Sequence, residues 1–129
     1  MFLNTKNTQK LNWVDYKLKK SFEERINESR LILKKYPDKI PIIVNECSED
    51  LKDKIKRKML LQSDMTVSNY LYSIRQKFKI KPEESFILFV NGKIPTSTTL
   101  LYELYNNHKD KDGFLYISII KENVFGNLI

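Results

Sequence analysis

The chain has 129 residues, 41% hydrophobic and 30% charged, which suits one domain with one core and excludes a disordered chain. Its net charge of +7 comes from residues 1–45, with ten Lys/Arg against five acids, and residues 65–85, with four against two. One cysteine (Cys47) excludes an internal disulfide and fits a reducing compartment, one histidine (His108) excludes a Cys/His metal cluster, and no apolar run nears the roughly 18 residues of a membrane span. The basic segments suit acidic peptides, anionic lipid or nucleic acid, or form a solvated face with no dedicated partner.

Residues 1–12 are polar, lack periodicity and lack the apolar centre of a signal peptide, so they read as a flexible leader. The domain is expected over 13–121, beginning with a short basic helical turn between Trp13 and Lys20. Ser21 and Glu24 form a capping-box pattern, each side chain able to satisfy a backbone amide at a helix start. Phe22, Ile26 and Leu33 then share a face, with Ile32 beside them, and Pro37 stops the helix at Tyr36. Ile40–Cys47 is a β-branched run with Pro41 near its start, where a missing amide is tolerable, and reads as a strand. Cys47 itself reads as a small buried hydrophobe.

The next stretch has two readings. Leu51, Ile55 and Met59 recur every four residues and favour a helix, whereas Lys56–Leu61 reads as a basic edge strand on which lysines discourage stray pairing. Thr66 then caps a helix with Val67, Tyr70, Leu71, Ile74 and Phe78 on one face. Pro82 ends the turn after it. Ser85–Val90 is a strand closing on Asn91-Gly92, a pair that accepts positive φ. Leu100–Tyr105 is a short helix or a single turn, and Phe114–Ile120 a strand whose near-continuous apolar character suits burial on both faces.

After that strand the chain turns polar and ends in Val-Phe-Gly and three further residues. Residues 122–129 hold too little apolar surface to fold alone and read as a mobile tail. Gly126 lacks a Cβ and could pass through a narrow enzyme slot, so the tail is either a substrate for cutting and joining or a frayed end with an incidental glycine.

If the doubtful segment is a strand, the order is a hairpin, a crossing helix, a third strand, a short helix and a final central strand. That predicts an α+β fold: a ubiquitin-like β-grasp with two additional N-terminal helices packed on the sheet. Phe22-Glu-Glu-Arg25, Lys34–Val44, Ser63–Val67, Ile74-Arg75, Phe89–Asn91, Ile94-Pro95, Phe114–Ile117 and Phe125-Gly126 occur in the order seen in the autophagy-related protein 8 family. The chain resembles that family, which includes the GABA type A receptor-associated proteins, from about Trp13 to Gly126, with one apparent single-residue deletion between Cys47 and Lys56.

The resemblance implies an autophagy modifier and not an enzyme. A cysteine protease of the conjugation pathway would cut after Gly126, reading Phe125 beside it. Activating and conjugating enzymes would then join the carboxylate to phosphatidylethanolamine, a two-chain anchor that holds a small domain firmly on a membrane. The protein would be a cytoplasmic monomer until lipidation placed it on an autophagosome or vesicle. It would need no cofactor.

The resemblance also implies recognition of short peptides from cargo receptors and adaptors. These carry an aromatic residue and, three positions later, a branched aliphatic one, and add a strand to an open edge at Lys56–Leu61. By resemblance the aromatic pocket is Glu28, Ile32, Pro41, Lys58, Leu60 and Phe114. The aliphatic pocket is Met59, Leu61, Met65 and Tyr70, and flanking acids face Lys39, Lys56, Arg57 and Lys77. The chain departs from the family pattern at Met59 (usually Tyr), Gln62 (usually Pro), Ser73 (usually Leu) and Ile55 (often Asp), all bearing on the aliphatic preference.

Two other classes fit parts of the sequence. A nucleic-acid binder would use the charge but should interleave aromatics with it, and here the aromatics fall on expected core positions, so no nucleic acid is expected. An unconjugated β-grasp adaptor for acidic peptides would keep the groove and ignore the tail. No nucleophile with its base, metal cluster or phosphate loop can be assembled for an enzyme.

Overall fold

The computed structural model describes residues 14–81 and 83–122. The expected leader (1–12), Trp13, Pro82 and the tail beyond Glu122, with Phe125 and Gly126, lie outside the described residues. The elements are α1 (Tyr16–Lys19), α2 (Phe22–Lys35), β1 (Lys39–Cys47), a 3-10 turn (Glu49–Leu51), β2 (Lys58–Gln62), α3 (Val67–Lys77), β3 (Phe86–Phe89), α4 (Leu101–His108) and β4 (Leu115–Lys121).

The four strands form one sheet in the order β2-β1-β4-β3. β1 runs antiparallel to β2 and parallel to β4, and β3 is antiparallel to β4. This is the expected grasp, with α1 and α2 as the N-terminal addition. One sheet face carries Ile40, Ile42 and Val44 of β1 and Leu115, Ile117 and Ile119 of β4 into a core shared with Val67, Tyr70 and Ile74 of α3. The opposite face carries Ile43, which joins Tyr16 and Phe114 in a second, smaller cluster beneath the N-terminal helices. A strand's period of two separates the clusters.

Local chemistry explains the boundaries. Ser21 accepts from the Glu24 amide at 3.1 Å while Glu24 accepts from the Ser21 amide at 3.2 Å. Thr66 and Asn69 repeat the device at α3, each side chain bonding the other's amide at 3.1–3.2 Å. Asn91 and Gly92 take φ of 51° and 73°, closing the turn in which Val90 and Lys93 exchange both backbone bonds.

The doubtful segment uses both of its readings in succession. Leu51 and Ile55 are buried, as a helical period requires, but the helical part is only a 3-10 turn, and the chain extends again at Lys58. Pairing of β2 with β1 captures the rest.

Two expectations need correction. β4 is not buried evenly on both faces: Leu115, Ile117 and Ile119 are buried and Tyr116, Ser118 and Ile120 are half-buried, because the N-terminal helices cover the second face less fully than the main core covers the first. The buried face of α2 is polar. Phe22 is 48% exposed, whereas Arg25 and Ser29 are the buried residues. Arg25 Nη1 donates to Asp112 Oδ2 at 2.5 Å, Ser29 Oγ donates to the Asp112 carbonyl at 2.5 Å, and Tyr116 also donates to Oδ2. A buried carboxylate so supplied holds the helix together with Ile32 and Leu33, which are only half-buried against the two cores.

A candidate peptide-docking edge

β2 lies at the sheet margin, and among the described residues only β1 pairs with it. Which of its backbone groups are open follows from the register. The Val44 amide donates to the Arg57 carbonyl at 2.7 Å and the Ser63 amide to the Asp38 carbonyl at 3.1 Å. Both lie in register with the pairs Ile42↔Met59 and Ile40↔Leu61. Those are therefore the hydrogen-bonded rungs, and Lys58, Leu60 and Gln62, opposite Ile43, Pro41 and Lys39, direct their amides and carbonyls away from β1. Pro41 sits at a rung that needs no amide toward β2.

The β2 side chains divide by the same alternation. Lys58 and Leu60 fall on the face of Ile43 and Pro41, toward α1 and α2. Met59 and Leu61 fall on the face of Ile42 and Ile40, toward α3.

On the first face two of the expected aromatic-pocket residues, Phe114 and Ile32, pack in the smaller cluster with Tyr16 and Ile43. Pro41 of β1 is also fully buried, and Leu60 of β2 is half-buried. Glu28 forms an ion pair with Lys58, accepts from the Tyr16 hydroxyl at 3.0 Å and meets the Lys20 ammonium at 3.3 Å. Burial works to raise the Glu28 pKa, but the hydrogen bonds from Lys58, Tyr16 and Lys20 outweigh it and hold the carboxyl below its ordinary value. Phe114 is wholly buried beneath this group, and the Tyr16 ring meets it edge to face at 6.0 Å. Tyr16 belongs to this group, and the sequence reading did not single it out; its only signal was an aromatic inside the basic turn before the capping box.

On the second face Met59, Leu61 and Tyr70 line a cleft of about 210 Å³, together with Ile55, Ser73, Ile74 and Phe78. Met65 is not part of that lining; it packs against the main core from the turn before α3. Tyr70 donates its hydroxyl to Met59 Sδ at 3.3 Å, and Ser73 turns its own back to the Tyr70 carbonyl at 2.7 Å, leaving the walls largely apolar. Burial, and to a lesser degree Cys47, pushes the Tyr70 phenol well above its ordinary pKa, so it stays a neutral donor.

The four expected electrostatic residues do not act as one group. Lys56 and Lys77 are exposed and line the apolar cleft. Arg57 is half-buried, bonds the Val14 carbonyl and lies 5.9 Å from the Tyr16 ring centroid, so it fastens α1. Lys39 stands at the far end of the edge, opposite Gln62. Cys47 is half-buried, and burial pushes its thiol up to about 12, which leaves it inert at neutral pH. Among the described residues no His/Cys/Asp/Glu group could hold a metal, and no helix is long and apolar enough to cross a membrane.

The chain as a whole can be matched to known proteins. Residues 24–126 match the family described as autophagy protein Atg8, ubiquitin-like. The chain belongs to the Atg8 family. Autophagy-related protein 8 of Mycosarcoma maydis is 41% identical over 114 residues, 88% of this chain and 97% of that one. Autophagy-related protein 8a of Arabidopsis thaliana is 39% identical over 114 residues, 88% of this chain and 93% of that protein. Among solved structures, Plasmodium falciparum Atg8 in complex with a P. falciparum Atg3 peptide superposes with a TM-score of 0.70 at 30% identity, covering 81% of this chain and 94% of that one. Trypanosoma brucei ATG8 gives a TM-score of 0.69 at 27% identity, covering 83% and 93%. As an Atg8-family protein the chain is a ubiquitin-like, autophagy-related modifier and not an enzyme.

Proposed function

We propose that this Atg8-family protein is cut after Gly126 by a cysteine protease that reads Phe125, activated and passed through conjugating enzymes, and joined by the Gly126 carboxylate to phosphatidylethanolamine. It thereby moves from the cytoplasm to an autophagosome or vesicle membrane as a lipidated monomer. There it gathers cargo receptors and adaptors by adding their short aromatic–aliphatic segments to β2.

The observation that carries the docking half is the open backbone of Lys58, Leu60 and Gln62, with the Glu28–Lys58 ion pair on one face and the apolar cleft on the other. An extended segment bonded along this edge also alternates its side chains, and residues three positions apart fall on opposite faces. One anchor would meet Glu28, Ile32, Pro41, Lys58 and Leu60 near Phe114, the other the Met59–Leu61–Tyr70 cleft and Met65. Acids beside the anchors would face Lys56 and Lys77, with Lys39 and Arg57 at the margins. The P. falciparum relative solved with an Atg3 peptide supports a peptide partner drawn from the conjugation machinery.

The conjugation half rests on family membership and on Gly126. Its test is intact mass of the protein recovered from cells, before and after delipidation. Loss of Asn127–Ile129 with gain of one phospholipid is expected for the native chain and neither for Gly126→Ala; a lipid-modified Gly126→Ala protein would refute it.

A further inference from the structure

A groove of about 410 Å³ lies between α2 and the turn leading from α4 into β4. Its floor is apolar: Ile26 and Leu33 of α2 are half-buried, and Tyr105 of α4 is buried. Its rim is cationic, with Arg30, Lys109 and Lys111 exposed and the Lys109 ammonium 5.3 Å from the Tyr105 ring centroid. Asp110, the acid in the lining, is already engaged by Lys17 and by the Asp112 amide. None of the ion pairs among the described residues uses the three rim cations.

The groove is preformed. Tyr105 donates its hydroxyl to the Gly113 carbonyl at 2.7 Å, and Arg25 and Ser29 bind Asp112. Gly113 has φ of +90°, and a Cβ there would collide with Ser29 Oγ, so the turn approaches α2 too closely for any side chain. A ligand would order little on entering.

We propose that this groove docks a second, acidic peptide segment. An apolar anchor would rest on Ile26, Leu33 and Tyr105, with carboxylates before and after it against Arg30, Lys109 and Lys111. An apolar floor within a cationic rim suits a peptide that carries an apolar side chain between carboxylates, whereas a phosphate backbone gives the floor nothing apolar to cover. The site is also distinct from the β2 edge. At 100° per residue Ile26, Arg30 and Leu33 share one flank of α2, and Glu28 and Ile32 share the opposite one. Both can be filled at once.

The test is amide-shift mapping on the full chain with a synthetic peptide of glutamates around a central leucine, a form with glycine in place of the leucine, and vesicles of phosphatidylserine and phosphatidylcholine. The proposal expects shifts gathered at residues 26–33 and 105–113. Affinity should drop about tenfold or more for the glycine peptide and for the chain carrying Arg30→Glu and Lys109→Glu. Both substitutions are on exposed residues, and the same spectra report whether the variant is folded. Equal binding of the two peptides, shifts confined to the β2–α3 cleft, or vesicles that move these amides as strongly as the leucine peptide would each overturn it.

Discussion

Tyr70 donates its buried hydroxyl to the sulfur of Met59 across 3.3 Å, so a side chain of α3 fixes a flexible side chain of β2 at the wall of the apolar cleft. Met is adaptable and normally defines a pocket loosely; here a hydrogen bond restrains it. Tyr70→Phe should cost about 0.5–1.5 kcal/mol in urea unfolding, since one weak bond is lost and the shape kept. Met59→Ala should cost about 1–2 kcal/mol, the low end for a truncation at a half-buried site, and widen the cleft. Calorimetric titration with a motif peptide should show affinity falling about tenfold for Met59→Ala and only a few-fold for Tyr70→Phe.

The N-terminal addition is fastened by Arg25 and Asp112, whose side chains are 9% and 0% exposed. Removing one partner strands a buried charge, so Arg25→Met should lower unfolding free energy by about 3–5 kcal/mol. Asp112 also holds the Phe114 amide at 2.9 Å, so the same variant should broaden amide signals around Phe114. A double-mutant cycle of Arg25→Met with Asp112→Asn should show strong coupling.

Glu28 gives a pH dependence of definite sign. Its folded pKa lies below the ordinary 4.5, the bonds from Lys58, Tyr16 and Lys20 outweighing burial. A depressed carboxyl contributes stability above its unfolded value and loses it as pH falls through the folded one. Native chain and Glu28→Gln should therefore differ in urea midpoint above about pH 4.5 and converge toward acid. A gap that widens on acidification would contradict this.

Cys47, with its thiol pushed up to about 12, should resist iodoacetamide at neutral pH in the native chain and react readily in denaturant, as mass spectrometry would show.

Much of this was legible in the residues. Ser21 and Glu24, Thr66, and Asn91-Gly92 fix element ends through bonds made within a few positions, so local sequence predicts them. The interior of α2 was not legible, because Arg25 and Ser29 are buried by a partner 87 and 83 positions away, and no helical period reports a distant carboxylate. The segment after Cys47 was ambiguous for a related reason: its apolar spacing is satisfied by a 3-10 turn and then overruled by pairing with β1. At the edge, the residues named from resemblance fall on two faces by strand alternation. Tyr16 over Phe114, and Ile55 and Phe78 in the cleft, arrive from elements whose approach only the fold reveals.

The most direct measurement is amide hydrogen exchange along β2 in the full chain, with and without a peptide bearing an aromatic residue and an aliphatic one three positions later. Strand addition predicts that the Leu60 amide, with those of Lys58 and Gln62, slows on binding, whereas Met59 and Leu61, already bonded to β1, change little. Saturable binding that leaves the Leu60 amide exchanging as before would contradict the account.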